Sequence, residues 1–138
     1  MRYLGLDLGS RTLGVAISDK TGLIATSYKT IKHNEEYNRL IKDINNIVEE
    51  EGIDKIVLGF PKNMNNTIGP KGKLSLKFKE KLEKELNIPI YLEDERLTTK
   101  SATDVLISGN VSRKNRKKVV DSVAATIILQ SFLDKENK

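Results

Sequence analysis

The chain has 138 residues, no cysteine and a formal net charge of +5 at pH 7. The absence of cysteine excludes thiol catalysis, cysteine-ligated zinc fingers and disulfide scaffolds. A chain of this length buries roughly two thirds of the surface that its unfolded form exposes, so it needs no such covalent support. We expect one domain over residues 1–138, with a polar tail at 134–138.

The N-terminal residues do not fit an export signal, because Asp7 interrupts the apolar stretch that a signal peptide requires. The longest uncharged apolar segment, Ser122 to Phe132, is well short of the ~20 residues of a membrane span. We therefore expect a soluble cytoplasmic protein without a membrane partner. The positive charge is compatible with nucleic acid, although many cytosolic domains carry as much charge for solubility.

Short apolar runs separated by glycine-containing turns open the sequence. They span Tyr3 to Leu8, Leu13 to Ile17 and Leu23 to Tyr28. Runs of this length joined by tight turns are typical of hairpins, so three antiparallel strands are predicted.

The apolar period then changes to that of a helix. Its apolar positions are Tyr37, Leu40, Ile41, Ile44, Ile47 and Val48. Asn34 is the predicted N-cap, Glu35 and Glu36 are the acids of the first turn, and Gly52 ends the helix.

Two strands separated by a second helix follow. The segment Lys55 to Pro61 predicts a buried strand, Lys62 to Gly72 a long polar loop, and Ile88 to Glu93 another strand. The helix between them carries Leu74, Phe78, Leu82 and Leu86 on one face. A strand, helix and strand in this order predict a parallel pair with a right-handed crossover.

Two more helices complete the predicted fold. One starts at Thr98 or Thr99 and ends at Gly109, and the last begins near Lys118. The last helix packs through Val120, Val123, Ala124, Ile127 and Ile128. The predicted fold is α/β, in the order βββαβαβαα, with a mixed five-stranded sheet and helices on its faces.

Asp7 is an acid inside an otherwise apolar strand, where an unpaired charge is costly to bury. One interpretation is an Asx turn into Gly9 and Ser10 at the strand end. The other is a metal or phosphate site, because Gly5 and Gly9 allow a ligand or backbone to approach closely.

Two other acidic positions are candidates for the same site. The consecutive acids Glu93, Asp94 and Glu95 repel one another at a strand end, and either a cation or solvent with Arg96 as counter-ion relieves the repulsion. Asp121 lies near the start of the last helix, where the helix dipole alone favours an acid. Its position beside apolar residues that pack on the sheet favours a ligand role instead.

Parallel strands deliver their carboxyl ends to one edge of a sheet, so these acids can converge there. Carboxylates without cysteine favour Mg²⁺ or Mn²⁺. Two such ions about 3.5–4 Å apart would support phosphodiester hydrolysis without a covalent enzyme intermediate. His33, the single histidine, is interpreted as a surface residue in a polar turn remote from these acids.

A basic run directly precedes the helix that carries Asp121. Its cations are Arg113, Lys114, Arg116, Lys117 and Lys118. The run is either a solvated loop or a contact for a phosphate backbone, which positions a polyanion without reading its sequence. Other candidates for backbone contact are Arg11, Lys62, Asn63, Lys71, Lys73 and Arg96. Aromatic residues make up only 5% of the chain, so base stacking is not the main mode of recognition.

Four segments together resemble the YqgF family, whose members are named as pre-16S rRNA nucleases and as Holliday-junction resolvases. The segments are Leu4 to Asp19, Val57 to Met64, Asp94 to Thr99, and Asp121 to Ala125 with Ile128 to Gln130. They occur in the family's order and span nearly the whole chain. One departure is Asn65-Asn66-Thr67 in the long loop, where family members usually have a glycine that Asn66 can replace conformationally.

The resemblance implies a ribonuclease H-like fold in which Asp7, Glu95 and Asp121 form a triad of ligands for divalent metals. The sequence alone does not choose between Asp94 and Glu95, and Glu95 is taken from its place in the Asp-Glu-Arg motif. The implied reaction is endonucleolytic cleavage leaving 5′-phosphate and 3′-hydroxyl ends. The implied role is trimming of the 5′ side of the small-subunit rRNA precursor, with structured RNA and ribosomal particles as partners.

Three alternatives remain at the sequence level. The first motif is also similar to the phosphate loop of actin-like ATPases, but those proteins need a second homologous domain. A non-catalytic RNA- or ribosome-binding module would use the acids only for packing. A resolvase acting on four-way DNA would need two active sites, normally in a homodimer, whereas RNA trimming is compatible with a monomer.

Overall fold

A computed structural model describes residues 1–9, 11–61 and 69–94, together with residues 113–137, whose side chains are described from Val123 onward. Among the helices of these residues, none is both long and apolar enough to span a bilayer. The predicted third helix, from Thr98 or Thr99 to Gly109, lies outside the described residues.

Five strands form one mixed sheet. They are β1 (Tyr3–Leu8), β2 (Thr12–Ser18), β3 (Ala25–Lys32), β4 (Lys55–Phe60) and β5 (Ile90–Asp94). Their order across the sheet is β3-β2-β1-β4-β5. The first three strands are antiparallel neighbours, whereas β1 pairs in parallel with β4 and β4 with β5. The predicted hairpins and the predicted parallel crossover are both confirmed.

Two strands differ from their predicted limits by more than one residue at an end. The third strand begins at Ala25 and continues to Lys32, instead of spanning 23–28. The Asp19 carboxylate accepts the backbone N–H groups of Leu23 and Ile24, at 2.9 and 3.1 Å, which ties these two residues into the preceding turn. The last strand begins at Ile90, directly after a proline, which has no N–H to donate to a neighbouring strand.

The first helix, α1, spans Tyr37–Glu51 and ends as predicted at Gly52, which has a left-handed φ of 64°. Its predicted start was wrong. Glu36 is the N-cap, without a side-chain cap bond, and neither predicted acid lies in the first turn. Glu35 takes a positive φ of 63°, which is not helical, so the helix cannot extend back to Asn34.

The second helix, α2, spans Pro70–Glu85, so it begins inside the segment predicted as a loop. Proline has a fixed φ that suits the first helical position, where its missing N–H costs nothing. Phe78 and Leu82 are buried as expected, and buried Leu86 is the C-cap.

The last helix, α3, spans Arg113–Glu136, so its predicted start near Lys118 was wrong. Lysine and arginine are good helix formers, and nothing in the basic run breaks a helix. The run is therefore the first turns of α3 and not a loop. At the other end, α3 continues through Asp134 to Glu136, which were assigned to a polar tail.

The sheet separates two apolar cores. On one face, Leu4 and Leu6 of β1 pack with residues of α1 and α2, including Ile44 and Phe78. On the other face, the core comprises Tyr3, Ala16, Ala25, Val57, Ala125, Ile128, Leu129, Phe132 and Leu133. Because side chains alternate along a strand, odd-numbered residues of β1 face α3 and even-numbered residues face the other two helices.

Gly5 is where α3 lies closest to β1. A Cβ atom at this position would lie 2.7 Å from Leu129 Cβ and 3.1 Å from the Ala125 carbonyl oxygen. Only glycine allows this approach, so Gly5 fixes the distance between the helix and the strand.

Candidate metal and nucleic-acid site

Asp7 lies near the carboxyl end of β1 and is half-buried. It follows Tyr3 and Gly5 on the face of the sheet that α3 covers. Its partner in the antiparallel register is Gly14 of β2, which contributes no side chain. The Asp7 carboxylate therefore belongs to the face of the sheet that α3 covers, beside a residue without a side chain.

The connection that follows Asp7 is tight. The Gly9 N–H donates a hydrogen bond to the Thr12 carbonyl over 2.8 Å. A Cβ atom on Gly9 would lie 3.1 Å from that same carbonyl oxygen and 3.2 Å from Thr12 Oγ1. The glycine therefore permits the close turn, as the sequence pattern indicated, and the turn fixes the end of the strand that carries Asp7.

His33 is buried and bonded to this connection, so its interpretation as a remote surface residue was wrong. It is only 9% exposed. Its Nε2 lies 3.0 Å from the Gly9 carbonyl oxygen and 3.3 Å from that of Thr12. Its backbone N–H donates to the Arg11 carbonyl over 2.9 Å, and the Glu35 N–H donates to its Nδ1 over 3.1 Å. Both ring nitrogens are thus engaged, and His33 is not available as a metal ligand.

The sequence missed this role because the predicted third strand ended at Tyr28. In the structure, β3 continues and pairs Lys32 with Thr12. The next residue, His33, therefore lies opposite Arg11. The stretch from Tyr28 to Ile31 contains an aromatic residue and the β-branched Thr30 and Ile31, and this β propensity is the signal that could have extended the strand to the turn.

The acids at the end of β5 have separate surroundings. Glu93 is 5% exposed and forms an ion pair with Lys135 in the last turn of α3. Asp94 is exposed and follows Ile90 and Leu92 on the face of α1 and α2, opposite to Asp7. Glu95 lies outside the described residues. No sequence pattern indicated the Glu93–Lys135 pair, because 42 residues separate its members along the chain.

Asp121 belongs to α3, and its backbone lies one helical turn before Ala125, which contacts Gly5. Its side chain is outside the described part of the chain. Within the described residues, no group of three His, Asp or Glu side chains could hold a metal ion. Two of the three predicted ligands have no described side chain: Glu95 lies outside the described residues, and only the backbone of Asp121 is described. The donor chemistry that the structure does describe, a carboxylate with a glycine beside it, fits a hard divalent cation.

The predicted nucleic-acid contacts divide into three groups. Arg11 is exposed in the connection next to Asp7, and Lys71 and Lys73 are exposed in the first turn of α2. The basic run lies along the first turns of α3, the helix that carries Asp121. The contacts predicted at Lys62, Asn63 and Arg96 lie outside the described residues.

Comparison with known proteins gives the family. The sequence profile of the RuvX family, described as Holliday junction resolvase, matches residues 1–135. A protein of Bacillus pumilus (strain SAFR-032) named "Putative pre-16S rRNA nuclease" is 53% identical over 138 residues, covering 99% of this chain and 100% of that protein. A protein of Bacillus subtilis (strain 168) with the same name is 52% identical, with the same coverage.

Solved structures support the fold. The chain resembles Thermus thermophilus RuvC in complex with a Holliday junction substrate, with a TM-score of 0.62 and 15% identity, covering 100% of this chain and 97% of that chain. A second Thermus thermophilus RuvC structure gives a TM-score of 0.58 at 14% identity, covering 99% of this chain and 97% of that chain. RuvC has a ribonuclease H-like fold, so the predicted fold class is confirmed. The chain belongs to the RuvX Holliday junction resolvase family and is a nuclease, a hydrolase of phosphodiester bonds.

Proposed function

We propose that this chain is a divalent-metal-dependent endonuclease that processes the 5′ end of pre-16S rRNA in the cytoplasm. The main support for a metal site is the contact of α3 with β1 at Gly5. This contact brings the helix that contains Asp121 next to the strand that contains Asp7. Asp7 lies two residues beyond Gly5, about 6.6 Å along the strand. The backbone of Asp121 lies four residues before Ala125, about 6 Å along the helix.

The direction of α3 supports the same arrangement. Gln130 accepts the N–H of Ala25 over 2.8 Å, and Thr126 is bonded to Ser27 over 3.0 Å. The helix α3 therefore runs in the opposite direction to β3. Since β3 runs parallel to β1, the start of α3 lies toward the end of β1 that carries Asp7. In our proposal, Asp7 and Asp121 meet at this end.

We assign the second acid to Glu95. Glu93 shares the face of Asp7, but it is paired with Lys135. Asp94 belongs to the opposite face, with Ile90 and Leu92. Those two placements disfavour both described acids of the cluster, and we therefore propose Glu95 as the metal ligand and catalytic residue of this cluster.

Bound Mg²⁺ or Mn²⁺, two ions in our proposal, would supply a nucleophilic water and neutralise charge on the scissile phosphate. The residues of the chain hold the metal ions and orient the substrate. Asp7, Glu95 and Asp121 provide the anionic oxygens. Arg11, Lys62, Asn63, Arg96 and the basic run of α3 contact the phosphate backbone of structured RNA. Such contacts position the strand and carry no sequence information.

We favour pre-16S rRNA because relatives that match the full chain at more than 50% identity bear that name. A four-way DNA junction is the second candidate substrate, since the family is described as Holliday junction resolvase. The two candidates differ in assembly. Symmetric junction cleavage requires two active sites, normally in a homodimer, whereas a monomer associated with a ribosomal particle suffices for trimming one RNA strand.

A side-by-side cleavage assay tests the proposal. The parent is incubated with a pre-16S 5′ leader and with a four-way DNA junction, in Mg²⁺, in Mn²⁺ and in EDTA. We expect metal-dependent cleavage of the RNA leader, and we expect Asp7→Asn, Glu95→Gln and Asp121→Asn each to lower the rate at least a hundredfold. Preferential cleavage of the junction would transfer the assignment to the second candidate.

A matched control separates loss of the site from loss of a charge. Asp19→Asn removes a carboxylate from the turn before Leu23, beyond the opposite end of the sheet, and should cleave at the parent rate. Mn²⁺ should raise the melting temperature of the parent and of Asp19→Asn but not of Asp7→Asn, because a ligand stabilises the state that binds it. A parent that neither cleaves nor responds to Mn²⁺ would indicate a non-catalytic binding module.

A further inference from the structure

Three carbonyl groups of the connection after Asp7 are bonded to one residue, His33. The Nε2 atom of the ring contacts the Gly9 and Thr12 carbonyls, and the backbone N–H of His33 donates to Arg11. Carbonyl oxygens can only accept, so Nε2 must carry the proton in these contacts. His33 is thus the donor that fixes the path of the chain directly beyond the proposed metal ligand.

The other ring nitrogen sets this tautomer. The Glu35 N–H donates to Nδ1 over 3.1 Å, which requires Nδ1 to have no proton. Glu35 has a φ of 63°, a left-handed backbone conformation that residues other than glycine rarely adopt. Glu35 therefore holds a strained backbone conformation at the place where its N–H faces Nδ1, and these contacts make Nδ1 the acceptor and Nε2 the donor.

Aromatic packing holds the ring in place. The centroids of His33 and Tyr37 lie 5.8 Å apart, and those of Tyr37 and Phe78 lie 6.0 Å apart. Phe78 is 1% exposed and belongs to the core between the sheet and the helices α1 and α2. A continuous contact therefore runs from the core through Tyr37 to the ring of His33. The donor at Nε2 has little freedom to move away from the turn.

We propose that His33 is a positioning residue for the metal site, which it serves by holding the Gly9–Thr12 connection so that Asp7 keeps its place at the end of β1. In this proposal it touches neither metal nor substrate and acts only through its hydrogen bonds to the connection. The inference rests on the proposed function, since it assigns His33 to the same site. Residues that orient metal ligands indirectly typically change metal affinity or activity by roughly 10- to 100-fold when they are replaced.

Two substitutions separate the donor from the ring. In His33→Gln the side-chain amide can place an N–H near the position of Nε2, while the aromatic ring is lost. In His33→Phe the ring and its contact with Tyr37 are kept, while the donor is lost. We expect His33→Phe to raise the Mn²⁺ concentration for half-maximal cleavage at least tenfold, and His33→Gln to stay within about threefold of the parent.

Tyr28→Phe is the matched control for lost stability. It removes the 3.1 Å hydrogen bond from the Tyr28 hydroxyl to Glu51, at the far end of α1 from the turn. All variants are compared well below their melting temperatures. Tyr28→Phe should melt earlier than the parent and keep the parent's Mn²⁺ dependence, whereas a purely structural His33 would behave in the same way as Tyr28.

Since His33 is the single histidine, ¹⁵N-histidine NMR reports its tautomer without ambiguity. We expect a protonated Nε2 and an unprotonated Nδ1 in the metal-free parent. The inference is overturned if Nδ1 carries the proton, if His33→Phe keeps the parent's Mn²⁺ dependence, or if Gln and Phe lose it equally. A parent without metal-dependent cleavage or Mn²⁺ binding would instead refute the proposed function, whatever tautomer the ring adopts.

Discussion

Two aspartates of this chain illustrate how different surroundings give one residue type different roles. Asp19 is bonded to the Thr21 hydroxyl and accepts the N–H groups of Leu23 and Ile24. The Thr21 hydroxyl, followed by the two backbone donors, lowers the pKa of Asp19 from 3.8 to about 2. The charge of Asp19 is therefore stabilised by hydrogen bonds within its own turn. Asp7 instead lies beside a glycine at a strand end, where we propose that its charge serves a metal.

The lowered pKa of Asp19 predicts a pH-dependent stability difference. A carboxylate whose pKa is lower in the folded chain stabilises it above pH 4, and this contribution is lost as pH falls toward 2. We therefore expect Asp19→Asn to be less stable than the parent at pH 7, with a difference that shrinks between pH 4 and pH 2. Urea unfolding of both proteins over this pH range measures it.

Thr21→Val is the companion variant, because it removes the donor that contributes most to the lowered pKa of Asp19. It should show the same trend with a smaller amplitude. If the parent and Asp19→Asn keep a constant stability difference down to pH 2, then the turn does not stabilise the charged form of Asp19.

Among the contacts between elements, the one between β1 and α3 is the contact on which the proposed metal site depends. Gly5→Ala would place a methyl group 2.7 Å from Leu129 Cβ, which forces the helix away from the strand. We expect a loss of about 1–3 kcal/mol in the free energy of unfolding, which is typical of overpacking. Because Asp121 belongs to the displaced helix, metal-dependent cleavage should fall as well. Urea unfolding and Mn²⁺-dependent cleavage rates measure the two effects.

Gly52→Ala provides the comparison for Gly5→Ala. Gly52 has a φ of 64°, and a Cβ there would have no neighbouring atom within 4 Å. Alanine should cost roughly 1–2 kcal/mol of stability through backbone strain alone, with no effect on the Mn²⁺ dependence of cleavage. Equal losses of activity in both variants would mean that α3 does not position the site.

At the scale of the whole molecule, the distribution of charge matters more than the net value of +5. The basic run of α3 lies on the helix of Asp121. Replacing Arg113, Lys114, Arg116, Lys117 and Lys118 by glutamine should weaken RNA binding at low salt. The slope of log K against log salt should become shallower by about 0.7 for each lost contact with single-stranded RNA. Filter binding over a salt series measures the change.

The control replaces Lys20, Lys42, Lys77 and Lys84, which are exposed on other parts of the surface. These changes also reduce the net charge, but they lie on α1, on α2 and in the connection from β2 to β3. The slope lost per removed charge should be clearly smaller than for the basic run. If the two sets of substitutions change the salt slope equally per removed charge, then the chain binds RNA through its overall charge and not through the basic run of α3.

Local patterns were sufficient to predict most of the fold. Alternating or continuous apolar runs identified all five strands, and the helical period of α1 and α2 was correctly identified. The errors lie at ends, where side-chain bonds and backbone angles compete with propensity. The strand β3 starts later than predicted because Asp19 holds the preceding residues in a turn. The helix α1 starts later than predicted because Glu35 has a positive φ.

The N-terminal hairpins, the parallel crossover, the acid near the end of β1 and the basic run could all be identified from the sequence, because each depends on neighbouring residues or on a motif. Three other facts required the folded structure: His33 is bonded to the turn after Asp7, Glu93 is paired with Lys135, and Asp94 faces away from Asp7. These facts depend on which face and which level of the sheet each residue occupies. Such placements result from long-range packing, which no local pattern encodes.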